Sequence, residues 1–100
     1  MKLIILVLTI LTITNNLFAY SASCNTDDGK NFDIRVKNKV MTIDNKYTAH
    51  YKGKTMILGW YKYSNKGYTY LIGKFKGSQF PIEVSNKWGL NTEGTCNFNN

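Results

Sequence analysis

The chain has 100 residues, with 13 lysines and arginines against 6 aspartates and glutamates, so its formal net charge is +7. An excess of this kind favours acidic partners such as anionic glycans, lipid head groups or acidic proteins. Nucleic acid is not an expected partner, because Arg35 is the only arginine and lysine lacks the planar fork that reads phosphates and base edges.

The N-terminus has the features of a secretory leader. Lys2 supplies a short positive region, and residues 3–13 form an apolar run of the length found in signal peptides. The run ends too early for a transmembrane helix, which needs roughly 18 or more apolar residues. We therefore predict a signal peptide over residues 1–23, cut within 19–23, with export to the periplasm or out of the cell. No integral membrane span is expected after cleavage, and lipid anchoring at Cys24 is disfavoured because Ser21 stands where lipoproteins carry a leucine-like residue.

Two cysteines, Cys24 and Cys96, lie at the ends of the predicted mature chain, residues 24–100. A domain this small builds a limited core and usually needs a staple. In an oxidising compartment we expect one disulfide joining the termini, worth about 4 kcal/mol in the chain-entropy account. Free thiols or a metal pair are the alternatives, but two cysteines and the single histidine, His50, make a poor zinc site.

The dominant sequence period after the leader is two. Residues 31–37, NFDIRVK, alternate apolar and polar side chains, as a strand with one wet face does. Further strand candidates, separated by turn residues, are VMTI, KYTAHY, KTMILGWYKY, YTYLIGKFK, QFPIEV and TCNF. This spacing predicts a single all-β domain over 24–100, a small antiparallel β-barrel of about seven to eight strands, with a sandwich as the alternative. In a barrel the first and last strands become neighbours, which lets the two cysteines meet.

Residues 59–77, GWYKYSNKGYTYLIGKFKG, combine aromatic residues with lysines and contain no acid. Packing in the core or the barrel wall is the expected role of most of these aromatics. Gly59 and Gly73, which fall inside predicted strands, indicate bends or bulges at barrel corners. Lys74 and Lys76 are too costly to bury unpaired, so we expect them at the exposed end of their strand, near the Gly77 turn.

Catalytic and metal-binding constellations are hard to find. His50 has no obvious nucleophile beside it, and Glu83 and Glu93 both look solvated, the second in the turn NTEGT. Asp27 and Asp28 precede a glycine, but the ligand spacing of a calcium loop is missing, so we interpret them as part of a polar turn. We predict a binding module that is not an enzyme and uses no cofactor or metal.

Several motif elements occur in an order known from one family: Cys24, Asp28-Gly29, Phe32, Gly59, Tyr63-Ser64, Lys76-Gly77 and Cys96. In this respect the chain resembles the periplasmic and membrane-bound inhibitors of c-type lysozyme. The resemblance covers most of the mature chain and implies a small eight-stranded antiparallel barrel of a bacterial envelope. It also implies a lysozyme, or another glycan-processing protein, as the partner.

The resemblance further implies which residues enter the lysozyme active-site cleft. In the family these are a serine just before the central glycine and the lysine of the later KG pair, which meets the catalytic acids. Lys76 matches that lysine by motif and Lys74 by its distance from Tyr63. The serine has no counterpart, because residues 56–58, Met-Ile-Leu, precede Gly59. The candidate binding residues are therefore Lys76, Lys74, Tyr63, Ser64 and Tyr68.

Two other functions agree with the same composition. The lysine excess fits a basic envelope or secreted protein that binds an anionic glycan or lipopolysaccharide without catalysis. The other function is that of a secreted toxin or host-interacting effector, since such proteins are often small, basic and linked by disulfides.

Overall fold

The computed structural model describes residues 19–99, which form a closed barrel of eight antiparallel strands. Each strand pairs with the next along the chain, and the last pairs with the first, so the wall has no free edge. The predicted antiparallel all-β barrel is thus confirmed, at the upper end of the expected strand number. The strands are β1 (Tyr20–Thr26), β2 (Asn31–Lys37), β3 (Val40–Ile43), β4 (Tyr47–Lys54), β5 (Tyr61–Ser64), β6 (Tyr68–Ile72), β7 (Gln79–Asn86) and β8 (Asn91–Phe98).

The period-two pattern sorts the side chains between the interior and the solvent. On β2, Ile34 and Val36 point into the core, whereas Asp33, Arg35 and Lys37 are exposed. Strands β3, β6 and β7 contribute other large buried side chains, Met41, Ile72, Phe80 and Ile82. One contiguous apolar core therefore fills the barrel.

The predicted disulfide is present between Cys24 and Cys96. The two residues face each other directly in the register of β1 with β8, and both are buried. All eight strands, the core and the disulfide lie within residues 20–98. The covalent link therefore joins the pair of strands that closes the barrel.

Most of the predicted leader lies outside the described residues. Strand β1 begins at Tyr20, so the range 19–23 in which we predicted cleavage overlaps the barrel wall. Ala22 in this range is fully buried. No helix within residues 19–99 is long and apolar enough to cross a membrane.

Several predicted strand and turn boundaries are wrong. The segment KTMILGWYKY is not one strand: β4 ends at Lys54, a loop covers residues 55–60, and β5 begins at Tyr61. Thr55 makes this reversal, since its amide donates to the Trp60 carbonyl (2.8 Å) and its hydroxyl accepts from the Trp60 amide (3.0 Å). Gly59 supplies a positive φ of 68° in the same loop.

The segment YTYLIGKFK also ends early, because β6 stops at Ile72 and residues 73–78 form a loop. The opposite error occurs in NTEGT, which is not a turn, since β8 begins at Asn91 and includes Glu93. The strand predicted as KYTAHY extends beyond Tyr51, because β4 continues to Lys54 through a register shift between Tyr51 and Gly53.

Candidate functional site

The up-and-down topology sorts the loops into two sets at opposite ends of the barrel. The loops β2–β3, β4–β5 and β6–β7 lie at the same end as the start of β1 and the end of β8. We call this the lysine-rich end. The loops β1–β2, β3–β4, β5–β6 and β7–β8 form the opposite end.

The lysine-rich end carries seven exposed lysines in its loops and the adjoining strand ends. None of its three loops contains an aspartate or glutamate. The ammonium groups of Lys39 and Lys54 stand over aromatic rings, at 5.9 Å from the Tyr51 centroid and 5.3 Å from the Tyr61 centroid. The charged side chains in the loops at this end are therefore all of one sign. The seven lysines are Lys37, Lys39, Lys52, Lys54, Lys62, Lys74 and Lys76.

The β6–β7 loop holds Lys74 and Lys76 outward on either side of an anchored aromatic residue. Between them, the Phe75 ring lies over the end of the barrel, with centroids 5.3 Å from Tyr20, 5.1 Å from Phe80 and 4.9 Å from Phe98. Lys76 and Gln79 exchange two backbone hydrogen bonds (2.7 and 3.1 Å), which close the turn. Both lysines are thus presented by a loop whose middle and end are fixed.

The β4–β5 loop lies against the β6–β7 loop. A side chain at Gly73 would meet the Pro81 ring at 2.5 Å and the Trp60 indole at 3.0 Å, so these groups touch the bare glycine backbone. Beyond Trp60 the loop exposes Met56 and Ile57 almost completely, at 101% and 95%. This exposed Met-Ile-Leu tip was missed by sequence reasoning, because three consecutive apolar residues indicate a strand interior.

The five predicted binding residues are not brought together. Lys74 and Lys76 are exposed at the lysine-rich end, as expected. Tyr63 is buried in the core, where burial first and then the nearby Tyr51 phenol raise its pKa. Ser64 and Tyr68 flank the β5–β6 loop at the opposite end.

The opposite end opens into a cleft of about 630 Å³. Its lining includes Asp44, Tyr47, Tyr68 and Tyr70. Tyr70 forms part of the floor: burial, with smaller effects from Tyr68 and the Asp44 carboxylate, raises its pKa to about 12. The Asp44 carboxylate also accepts a hydrogen bond from the Asp33 amide (2.8 Å), which fixes the β3–β4 turn.

The polar turn predicted at Asp27-Asp28 is also at this end. Asp28 accepts a hydrogen bond from the Thr26 hydroxyl, which is the main reason that its pKa is lowered, and forms an ion pair with Lys30 at 3.9 Å. No group of three or more histidine, cysteine, aspartate or glutamate side chains suited to a metal ion occurs among residues 19–99.

Glu83 and Glu93, which we expected to be solvated, are directly opposite each other on β7 and β8. Glu93 is exposed and Glu83 half-buried. Glu83 also lines the shallow groove below the Met-Ile-Leu tip, together with Trp60 and Leu71. His50 is exposed on β4, opposite Ser64.

Comparison with known proteins adds no relative to this description. No family model, no curated protein and no solved structure matches the chain. The charges and shapes of the two barrel ends are therefore the features that bear on function.

Proposed function

We propose that this chain is an exported, non-catalytic binding module that places the lysines of its β6–β7 loop in an acidic cleft of a partner protein. One observation carries the proposal: Lys74 and Lys76 project from a loop anchored by Phe75, at a barrel end whose loops contain no acid. A preformed loop that carries only positive charge suits a negatively charged cavity, because the loop loses little conformational entropy on binding.

A c-type lysozyme is the first partner to test. The resemblance described above leads us to expect Lys76 or Lys74 near the catalytic acids of such an enzyme. The β4–β5 loop, which contains Gly59 but no counterpart of the family serine, touches the β6–β7 loop at Gly73 and Trp60. C-type lysozymes are basic overall, so repulsion slows the encounter, and screening by added salt should help binding.

The experiment measures lysozyme activity with micromolar excess of the disulfide-intact protein at low and raised salt. We expect inhibition that is lost in Lys74→Ala/Lys76→Ala. The matched control is Lys66→Ala/Lys87→Ala, which removes the same charge from the opposite end and should inhibit like the unmodified protein. Full lysozyme activity at every salt concentration would reject this partner.

An anionic glycan or lipopolysaccharide is the second candidate ligand. The observation that favours it is the breadth of the lysine distribution, since the seven lysines come from three loops and their flanking strands. A polyanion can contact all of them at once, whereas a narrow cleft accommodates one loop. Binding of this type weakens steeply with salt.

Retention on an immobilised anionic polysaccharide tests this second candidate. We expect elution at clearly lower salt for Lys74→Glu/Lys76→Glu than for Lys66→Glu/Lys87→Glu, which has the same net charge. Equal elution of the two variants would show that only net charge matters, and would count against a polysaccharide site at the lysine-rich end.

A further inference from the structure

The Met-Ile-Leu tip of the β4–β5 loop is the most exposed apolar segment among the described residues. Met56, Ile57 and Leu58 are 101%, 95% and 69% exposed. They are adjacent in sequence and lie at the end of a loop, so they form a convex projection. Single exposed apolar residues are ordinary, but a contiguous group marks a contact surface.

The surroundings of the tip are mainly basic and aromatic, and the acid nearby is the half-buried Glu83, which lines the groove below the tip. Lys54 and Lys62 lie on the two strand ends that lead into the loop, and the Lys54 ammonium stands 5.3 Å from the centroid of the Tyr61 ring. Trp60, half-buried, forms the base of the loop. Apolar side chains at a tip, with aromatic rings and lysines behind them, are the arrangement that favours the interface of a bilayer with anionic head groups.

We propose that the tip, Met56 to Leu58, enters the surface of an anionic lipid bilayer, with the lysine-rich end turned toward the head groups. This inference goes beyond both candidate functions, which use the lysines and not the tip.

Charge and shape favour a bilayer over other occupants. A second copy docking through the same surface would bring the lysines of one molecule against those of the other. A rigid protein partner would need a pocket shaped for a protruding tip, whereas a fluid bilayer takes up a convex apolar projection without one. Anionic head groups also neutralise the surrounding lysines, each of which adds to the attraction near the surface.

The test uses residues 19–100, because all strands, the core and the disulfide are contained in 20–98 and the apolar leader would itself bind lipid. Co-sedimentation is measured with vesicles of phosphatidylglycerol and phosphatidylcholine and with phosphatidylcholine alone. We expect binding to the anionic vesicles, weakened roughly tenfold or more in Met56→Ser/Ile57→Ser/Leu58→Ser. The matched control is Leu90→Ser, which removes an apolar side chain exposed at 71% at the opposite end and should leave binding unchanged.

The two tryptophans report which end meets the lipid, because Trp60 is at the lysine-rich end and Trp88 at the opposite end. In brominated anionic vesicles we expect quenching of Trp60 in Trp88→Phe and no quenching of Trp88 in Trp60→Phe. This readout also covers the case in which the triple serine variant does not fold.

Several outcomes would overturn the proposal. These are equal vesicle binding by the tip variant and the parent, equal quenching at both ends, or absence of binding to anionic vesicles. A dimer that dissociates when the tip is changed would assign the tip to a second copy. If residues 19–100 do not bind vesicles but the full chain does, the lipid contact would be assigned to residues 1–18. Retention on the anionic polysaccharide should not depend on the tip, which separates this inference from the glycan candidate.

Discussion

The two ends of the barrel are built from the same eight strands but are closed differently. At the lysine-rich end, the rings of Tyr20, Phe75, Phe80 and Phe98 contact one another with centroids 4.9–5.9 Å apart and cover the core. At the opposite end there is no such cover among the described residues, and the interior opens into the cleft of about 630 Å³. The charge also differs, since the opposite loops mix aspartates with lysines.

The loops of the two ends are also held by different forces. At the opposite end, asparagine side chains fix the turns: Asn65 accepts from the amides of Gly67 and Tyr68, and Asn86 from those of Trp88 and Leu90. At the lysine-rich end, close packing around Gly73 and Phe75 is added to the hydrogen bonds of Thr55 and Lys76. One barrel wall therefore supports two ends of different construction, one with closely packed loops and one whose turns are fixed by asparagine side chains.

The largest effect is expected from filling the contact between the two lysine-rich loops. Gly73→Ala places a methyl group against the Pro81 ring and the Trp60 indole, and should lower the free energy of unfolding by about 3 kcal/mol. Gly67→Ala, at the opposite end, meets nothing closer than 3.9 Å and should change it by roughly 0.5 kcal/mol or less. Urea unfolding compares the two, and similar losses would refute the idea that packing is specific to one end.

Alkaline pH probes the floor of the cleft at the opposite end. The pKa of Tyr70 is raised from the ordinary value of 10.0 to about 12. The unfolded chain therefore loses this proton first, so the stabilisation is complete below pH 10 and is lost as the pH rises toward 12. We expect the Tyr70 phenol to account for a decrease of roughly 2 kcal/mol in the free energy of unfolding.

In Tyr70→Phe, the free energy of unfolding should therefore decrease less between pH 10 and pH 12 than in the unmodified protein. Part of the decrease should remain, because the pKa values of Tyr20 and Tyr63 are also raised, mainly by burial. Denaturant unfolding at a series of pH values measures this. A profile unchanged by Tyr70→Phe would mean that the cleft floor is well hydrated.

A smaller effect is expected from the asparagine turns. Asn86→Ala removes the acceptor of two amide hydrogen bonds, at 3.0 and 3.1 Å, and should cost about 1 kcal/mol, since these amides can turn to water. Hydrogen exchange of the Trp88 and Leu90 amides should accelerate locally, while exchange at Trp60 stays as before. Faster hydrogen exchange at Trp60 as well as at Trp88 and Leu90 would contradict the independence of the two barrel ends.

The smallest effect is a gain in stability at the lysine-rich end. Asn38 and Lys39 form its tightest turn, with φ values of 53° and 66°. A lysine is strained in this region, so Lys39→Gly should raise the free energy of unfolding by roughly 0.5 kcal/mol after the entropy of glycine is counted. Thermal unfolding would detect it. A loss instead would mean that the contact of Lys39 with the Tyr51 ring outweighs the strain.

The fold was accessible from the sequence because period-two alternation and turn residues are local signals. The alternation of Ile34 and Val36 with charged residues predicts β2 correctly, and the disulfide follows from barrel closure. The clearest error in the strand boundaries occurs where apolar residues, which locally indicate a strand, lie in a loop that reverses the chain. Residues 56–58 look like strand interior, yet hydrogen bonds of Thr55 and the positive φ of Gly59 turn the chain there.

The candidate site could be predicted only in part from the sequence, because the length of each strand decides which residues reach the same end of the barrel. Tyr68 and Lys76 are close in sequence, but β6 separates them by about 16 Å, five residues of extended chain, and carries them to opposite ends. The prediction that Lys74 and Lys76 are exposed near Gly77 is confirmed. The cleft gathers residues from several hairpins, and no sequence pattern indicates such a long-range grouping.

Closure of the wall restricts how any partner can attach. Every strand already has two neighbours, so an incoming peptide finds no row of unpaired amides to extend, and stacking of copies through sheet edges is blocked in the same way. A partner would therefore have to contact side chains of the loops or of the outer strand faces. Substitutions at those positions would leave the interior and the Cys24–Cys96 bridge as they are.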